Sequence, residues 1–247
     1  MRDLLIACRY LTALPLPRSA GPGDLGRAAG WFPVVGLLLG VILAALALLV
    51  ERGAPPLVGA VLIVALWALL TGGLHLDGLA DALDGLGGGW SREEALAIMR
   101  DARTGAYGVT AIVLVLAAKL ATIAGLSPGL RWRALIVAPV LARLGPLVLS
   151  RLCPPARGEG AGHVFALSVR APGLAVGLLT AAAVALGLLG PAGALLFVLA
   201  VAGAALFAWY LRRRLGGLTG DCLGALVEAL EAVSLVALSV LAHLGRF

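Results

Sequence analysis

GGLHLDGLADALDGLGGGWSREEALAIMRDARTGAYG, residues Gly72 to Gly108, holds six of the thirteen acidic residues of the chain: Asp77, Asp81, Asp84, Glu93, Glu94 and Asp101. It sits between greasy flanks in a sequence of 247 residues that is 61% hydrophobic. An ionised carboxylate left alone in such surroundings costs about 3 kcal/mol at a bilayer centre on insertion scales. A cluster of them needs a counter-charge, and the economical one is a metal ion.

Outward from this stretch the chain is apolar. A mean hydropathy of +1.04 with 13% charged residues leaves too little polar surface for a soluble globular domain. Spans need about 20 apolar residues, and seven stretches qualify: Trp31 to Val50, Pro55 to Thr71, Tyr107 to Gly125, Ala134 to Ser150, Pro172 to Leu189, Ala192 to Leu211 and Ala225 to Leu244. Gly190-Pro191 and Pro154-Pro155 mark turns. The opening MRDLLIACRYLTALPLPRS is too short to span and lacks a cleavage signature, so it reads as part of the mature protein. Cys8, Cys153 and Cys222 are scattered and suggest neither a disulfide framework nor a zinc site.

Basic residues in the connections set orientation. Alternate connections carry thirteen arginines on one side and four on the other, with Lys119 and Arg143 inside spans. The fold expected is therefore an all-α polytopic integral membrane protein with about seven transmembrane helices and a cytoplasmic N-terminus. It forms a single membrane-embedded domain over residues 1–247 with cytoplasmic-side acidic segments at 72–108 and 216–231. The net charge of +6 reflects this topology and anionic lipid rather than nucleic acid.

At helical spacing Asp77, Asp81 and Asp84 fall at i, i+4 and i+7, on one stripe. Carboxylates stacked that way repel one another unless a cation lies among them. An all-oxygen donor set favours Mg²⁺, completed by waters and substrate phosphates. The second polar island, GGLTGDCLGALVEALEAVS (Gly216 to Ser234), places Asp221, Glu228 and Glu231 on roughly one face of the last helix. Plainer readings stand beside these. The three aspartates can be a solvated face, and Glu93 and Glu94 behind Ser91 read as a capped helix start. Asp101 is either a salt-bridged turn with Arg103 or a further metal ligand. Glu228 and Glu231 are functional intramembrane acids or partners of Arg143 or Lys119. His75 can orient a phosphate, move a proton or simply be packed. Arg212 to Arg214 serve as an interfacial anchor or a phosphate contact, and the run Gly85, Gly87, Gly88 and Gly89 as a phosphate cradle.

GGLHLDGLADALDG, MRDARTGAYG, RLGP and GGLTGDCLGALVE, with YLTALPLPR and WFPVVGLLLG before them, resemble in order the segments of the cobalamin synthase family, adenosylcobinamide-GDP ribazoletransferases. The resemblance implies a membrane enzyme of late cobalamin biosynthesis. It would join adenosylcobinamide-GDP to α-ribazole or its 5'-phosphate and release GMP with Mg²⁺. Carried over by position, it implies Asp77, Asp81, Asp84, Asp101 and Asp221 as acidic site residues and His75 as the histidine of the motif. Metal binding is expected from Asp77, Asp81, Asp84 and Asp101. Catalysis is expected from His75, Asp84, Asp221 and Glu228, with Asp221 or Glu228 accepting the proton of a ribazole 5'-hydroxyl. Substrate contacts are expected from Arg100, Arg103, Gly105 and Gly217. Two other classes compete. A CDP-alcohol-type phosphotransferase would carry DGxxAR, but Asp81 stands where that pattern has Ala. A cation-coupled transporter would spread polar residues through several spans. Membrane lipids are the expected surroundings, the partners are small molecules, and oligomeric state is left open.

Overall fold

The computed structural model describes residues 2–16 and 24–245, so Arg18 and Arg246, two of the arginines weighed for topology, lie outside the described residues. The described residues form helices and no strand. In chain order these are α1 (Arg2–Leu11), α2 (Asp24–Ala28) with a 3-10 turn (Ala29–Trp31), α3 (Phe32–Val50), α4 (Pro56–Thr71), α5 (Leu74–Gly88), α6 (Arg92–Ile98), α7 (Ala106–Gly125), α8 (Pro128–Leu152), α9 (Ala161–Ser168), α10 (Ala171–Arg214) and α11 (Gly220–His243). Five stretches are long and apolar enough to cross a membrane: Asp24–Val50, α7, α8, α10 and α11. The pair α4 and α5 passes the same test together although bent by 87°. The chain is thus an all-α polytopic membrane protein.

The bundle is organised around α8, whose apolar window is 83% buried against 22% for α7. Hydropathy alone does not put it there, since at 1.7 its window is the least apolar of the five. α3 lies flush on α8 at Gly36 and Gly40, where an added Cβ would come within 2.5 Å and 2.6 Å of α8 backbone atoms. Close backbone approach through small residues is how helices associate where lipid removes the hydrophobic incentive. Outward-facing Leu57, Leu69, Leu114, Leu179 and Leu206 are exposed and clothe the bundle in hydrocarbon-compatible surface.

Helix α10 runs for 44 residues but is two helices joined at Gly190, whose φ of 54° and ψ of −130° are not helical. The site where a Gly193 side chain would begin lies against the Ala185 carbonyl. Eight residues of unbroken helix would hold these positions about 12 Å apart, so the chain doubles back at the Gly190-Pro191 turn read from sequence. Only glycine is at ease at such a backbone position. Gly190→Ala is expected to lower stability by about 1–3 kcal/mol, seen as an earlier thermal unfolding midpoint in detergent.

Candidate active site

The site begins with a bend. Gly72 and Gly73 both take left-handed backbone conformations, with φ of 62° and 69°, and turn the chain from spanning α4 into α5. α5 therefore leaves the axis of α4 at 87° and carries the aspartates to the start of α11. It passes α11 at a glycine-on-glycine crossing. A Cβ on Gly78 would meet the Asp221 carbonyl oxygen at 3.1 Å and the Gly224 Cα at 3.3 Å. That approach brings Asp77 and Asp81 up to Asp221 at the start of α11. Thr219 caps α11, its hydroxyl accepting from the Cys222 N–H at 3.2 Å. The loop before it is clipped to the loop after α8, with Leu218 N–H donating to the Pro154 carbonyl and Ala156 N–H to the Leu218 carbonyl, both at 2.8 Å.

The electrostatics report the crowding. Burial, then the neighbouring carboxylates of Asp77, Asp221 and Asp84, push Asp81 up to about 6. One cation faces them: Arg157 Nη1 lies 3.8 Å from Asp221, its Nη2 donates to the Leu96 carbonyl at 2.8 Å, and its buried Nε has no protein partner. In sequence Arg157 is one more arginine in the connection that follows α8. The loop pairing that delivers it to Asp221 leaves no local signature.

Among the described residues no three histidine, cysteine, aspartate or glutamate side chains come close enough to enclose a metal ion by themselves. The donor set fits Mg²⁺ in its usual manner, one or two carboxylates with waters and substrate phosphates supplying the rest.

Asp84 is fastened differently. It is buried, and its two carboxylate oxygens accept the backbone N–H groups of Gly105 at 2.6 Å and Gly108 at 2.9 Å. It therefore caps α7 from α5, opposing the positive end of that helix. Gly105 is the N-cap position of α7, so its place is explained by Asp84. Asp84→Ala should cost about 0.5–2 kcal/mol, the range of lost helix caps, while Asp84→Asn keeps one acceptor and should lose less in the same melting assay. Gly217 is buried against the backbone of Pro154 to Ala156, which is a packing reason for a glycine.

Other expected site residues lie apart from the cluster. Asp101 is in an exposed turn with Arg103 at 2.6 Å, and the Arg103 hydrogen bonds hold it down at about 2. This is the plainer of its two sequence readings. Arg100 is exposed and 3.7 Å from Glu159. Glu228 is seven residues beyond Asp221, about 10 Å further along α11, and is buried against Lys119 Nζ at 2.6 Å. Glu231 ion-pairs with both Lys119 and Arg143. The pairing reading therefore describes both glutamates. Ser91 caps α6 through the Glu94 N–H at 3.1 Å, as read. Arg214 bonds the Gly89 carbonyl, which ties the end of α10 to the glycine run.

Beside Asp77 and Asp221 opens a pocket of about 230 Å³. Its walls come from α1, α2, α3, α5, α8, α9 and α11, among them Tyr10, Leu25, Phe32, Phe165, Leu223 and Val227, with His75 in one side. Phe32 and Phe165 stack with ring centroids 5.3 Å apart.

Residues 3–239 match the family described as cobalamin-5-phosphate synthase. A protein of Pseudomonas paraeruginosa named adenosylcobinamide-GDP ribazoletransferase is 42% identical, over 97% of this chain and 98% of its own. Those of Stutzerimonas stutzeri and Geotalea daltonii, named alike, are 42% and 36% identical over the full length of both chains. No solved structure is matched. With the match covering nearly the whole chain, acidic α5 and α11 included, the protein belongs to the cobalamin-5-phosphate synthase family.

Proposed function

We propose that this chain joins adenosylcobinamide-GDP to α-ribazole or its 5'-phosphate and releases GMP, using Mg²⁺ at the face formed by Asp77, Asp81 and Asp221. The observation that carries the reading is the crossing at Gly78 and Gly224, which masses three carboxylates, faced by Arg157 at Asp221, at the mouth of an apolar pocket. Asp77 and Asp81 are the metal-binding pair. A Mg²⁺ ion held by them would supply charge neutralisation for the phosphoryl transfer. Arg157 faces the same space and suits phosphate oxygens.

The bond changes are simple. A ribose hydroxyl oxygen forms a bond to the cobinamide-side phosphorus, the P–O bond to the bridging oxygen breaks, and GMP leaves with that oxygen. The family description names a 5-phosphate product, and an oxygen already carrying phosphate is not free to attack. The nucleophile is therefore a ribose hydroxyl other than the 5', and the 5'-hydroxyl expectation gives way. Of the two acids expected to take its proton, Glu228 is occupied by Lys119 inside the bundle, which leaves Asp221. General-base help of this kind is worth about 10²- to 10⁴-fold.

Seven crossings of the cytoplasmic (inner) membrane with a cytoplasmic N-terminus complete the proposal. Its support is the arginine asymmetry, together with the clustering of Arg92, Arg157, Arg212 and Arg214 contacts at the end that holds the aspartates. The test is GMP formation by liposome-embedded protein given both substrates, with and without Mg²⁺. Metal-dependent GMP and corrinoid product are expected. Folded protein that yields neither overturns the assignment.

A further inference from the structure

Away from the aspartates, the ends of α8 and α10 flank an open groove of about 440 Å³. Leu152, Ala205 and Ala208 give it apolar walls, and Trp209, Arg212 and Arg213 complete the lining. Both arginines are exposed, yet each is fixed at the groove. The Arg213 guanidinium lies over the Trp209 ring, 4.7 Å from its centroid, and Arg212 Nη1 donates to the Leu152 carbonyl at 3.2 Å. Arg151, also exposed, precedes Leu152. Among the described residues no carboxylate pairs with Arg151, Arg212 or Arg213, whereas Arg100, Arg103 and Arg131 each have one. Three cations at the end of two spans therefore lack an anion that the chain itself supplies.

The order of side chains along α10 says where that anion comes from. Leu206 is 65% exposed, Trp209 follows it, and Arg212 and Arg213 come next. At about 1.5 Å per residue, Arg213 stands about 6 Å beyond Trp209. A single leaflet repeats this order and spacing: hydrocarbon, then the interface that tryptophan favours, with a polar layer about 5–7 Å deep.

We propose that this groove binds an anionic phospholipid, its phosphodiester on Arg212 and Arg213 and an acyl chain along Leu152, Ala205 and Ala208. Planar guanidinium forks match phosphate oxygens, and basic pockets between spans are suited to such headgroups. A zwitterionic lipid brings its own cation and leaves the arginines uncompensated. The site stands independently of the proposed reaction. It also adjoins the active end, because Arg214 bonds the Gly89 carbonyl and the Leu215 carbonyl accepts from Arg92 at 2.7 Å. A lipid held here steadies the end of α10 to which the connection between α5 and α6 is tied.

The test is lipid retention, read by native mass spectrometry, of full-length protein extracted in detergent from vesicles of equal parts phosphatidylglycerol and phosphatidylcholine with identical acyl chains. Wild type should retain phosphatidylglycerol with a preference of about 30-fold, roughly fivefold for each of two arginines. Arg212→Gln with Arg213→Gln should abolish the preference. Arg212→Lys with Arg213→Lys, which keeps the charge without the fork, should keep part of it. Arg133 lies near the start of α8 and Arg52 beside Glu51, the partner of Arg131, so both mark the opposite end of the bundle. Arg52→Gln with Arg133→Gln removes the same charge there and should leave retention as in wild type. Should the Arg212 and Arg213 glutamine pair misfold, Trp209→Leu leaves every charge in place and should reduce retention about threefold. Equal retention of both lipids by wild type, or unchanged retention in Trp209→Leu, overturns the site. Equal losses in the two glutamine pairs would reduce it to general attraction for the membrane surface, and displacement of the lipid by inorganic phosphate would make it a free-anion site; either result overturns the proposal.

Discussion

Asp77→Asn is expected to reduce GMP release by about 10³-fold or more while the bundle melts no earlier than wild type. The two halves of that expectation have one cause. Asp77 is an exposed member of a group of like charges, and its carboxylate is among the causes that push Asp81 up to about 6. Removing the charge relieves repulsion, so folding does not suffer. The same change halves the carboxylate pair proposed to bind Mg²⁺, and loss of preorganised charge stabilisation at a single donor typically costs 10²- to 10³-fold. A metal ligand should exceed that figure. The sign of the pH dependence follows. Asp81 titrates higher in the fold than in the unfolded chain, so its contribution to stability is present below about pH 4 and is lost as pH rises through about 6. Metal-free protein should therefore lose stability over that interval, and Mg²⁺ should flatten the loss. A melting temperature that falls sharply in Asp77→Asn would instead mark this residue as structural.

The second large effect lies inside the membrane. Glu231→Gln is expected to destabilise the bundle by about 3–5 kcal/mol, the cost of breaking a buried ion pair by removing one partner. Lys119, Arg143, Glu228 and Glu231 are all buried and form a neutral quartet linking α7, α8 and α11, with the Trp67 ring 4.5 Å from Lys119 Nζ. Removing Glu231 leaves one uncompensated cation among hydrocarbon side chains. Arg143→Met added to Glu231→Gln restores neutrality, because Lys119 and Glu228 remain paired, and should recover most of the loss. Thermal unfolding of the three variants in detergent reads this directly. Equal stability of the single and double variants would show that the network is not a closed charge balance.

How much of this was legible in the sequence depends on range. The seven apolar stretches all became helices, because length and hydropathy are local properties, and Gly190-Pro191 announced its own turn. The stripe of Asp77, Asp81 and Asp84 was also legible, since helical period alone places those residues. What they face was not. Asp84 looks like its two neighbours in sequence, yet the N-terminus of α7 reaches it first. Glu228 and Glu231 read equally as reactive or paired acids until α8 and α7 put cations beside them. Arg157 and the walls Phe32 and Phe165 come from connections and helices distant in sequence, so only packing unites them.

The buried quartet also sets an order of assembly. Ribosomes deliver Lys119 and Arg143 before their acids exist, for Glu231 follows Arg143 by 88 residues. At about 5–20 residues per second, Arg143 waits roughly 4–18 seconds for Glu231, and Lys119, 109 residues ahead of Glu228, roughly 5–22 seconds. Nascent chains halted before residue 228 should consequently be held by the insertion machinery or degraded, and the last helix, by arriving with both glutamates, releases a finished bundle into the bilayer.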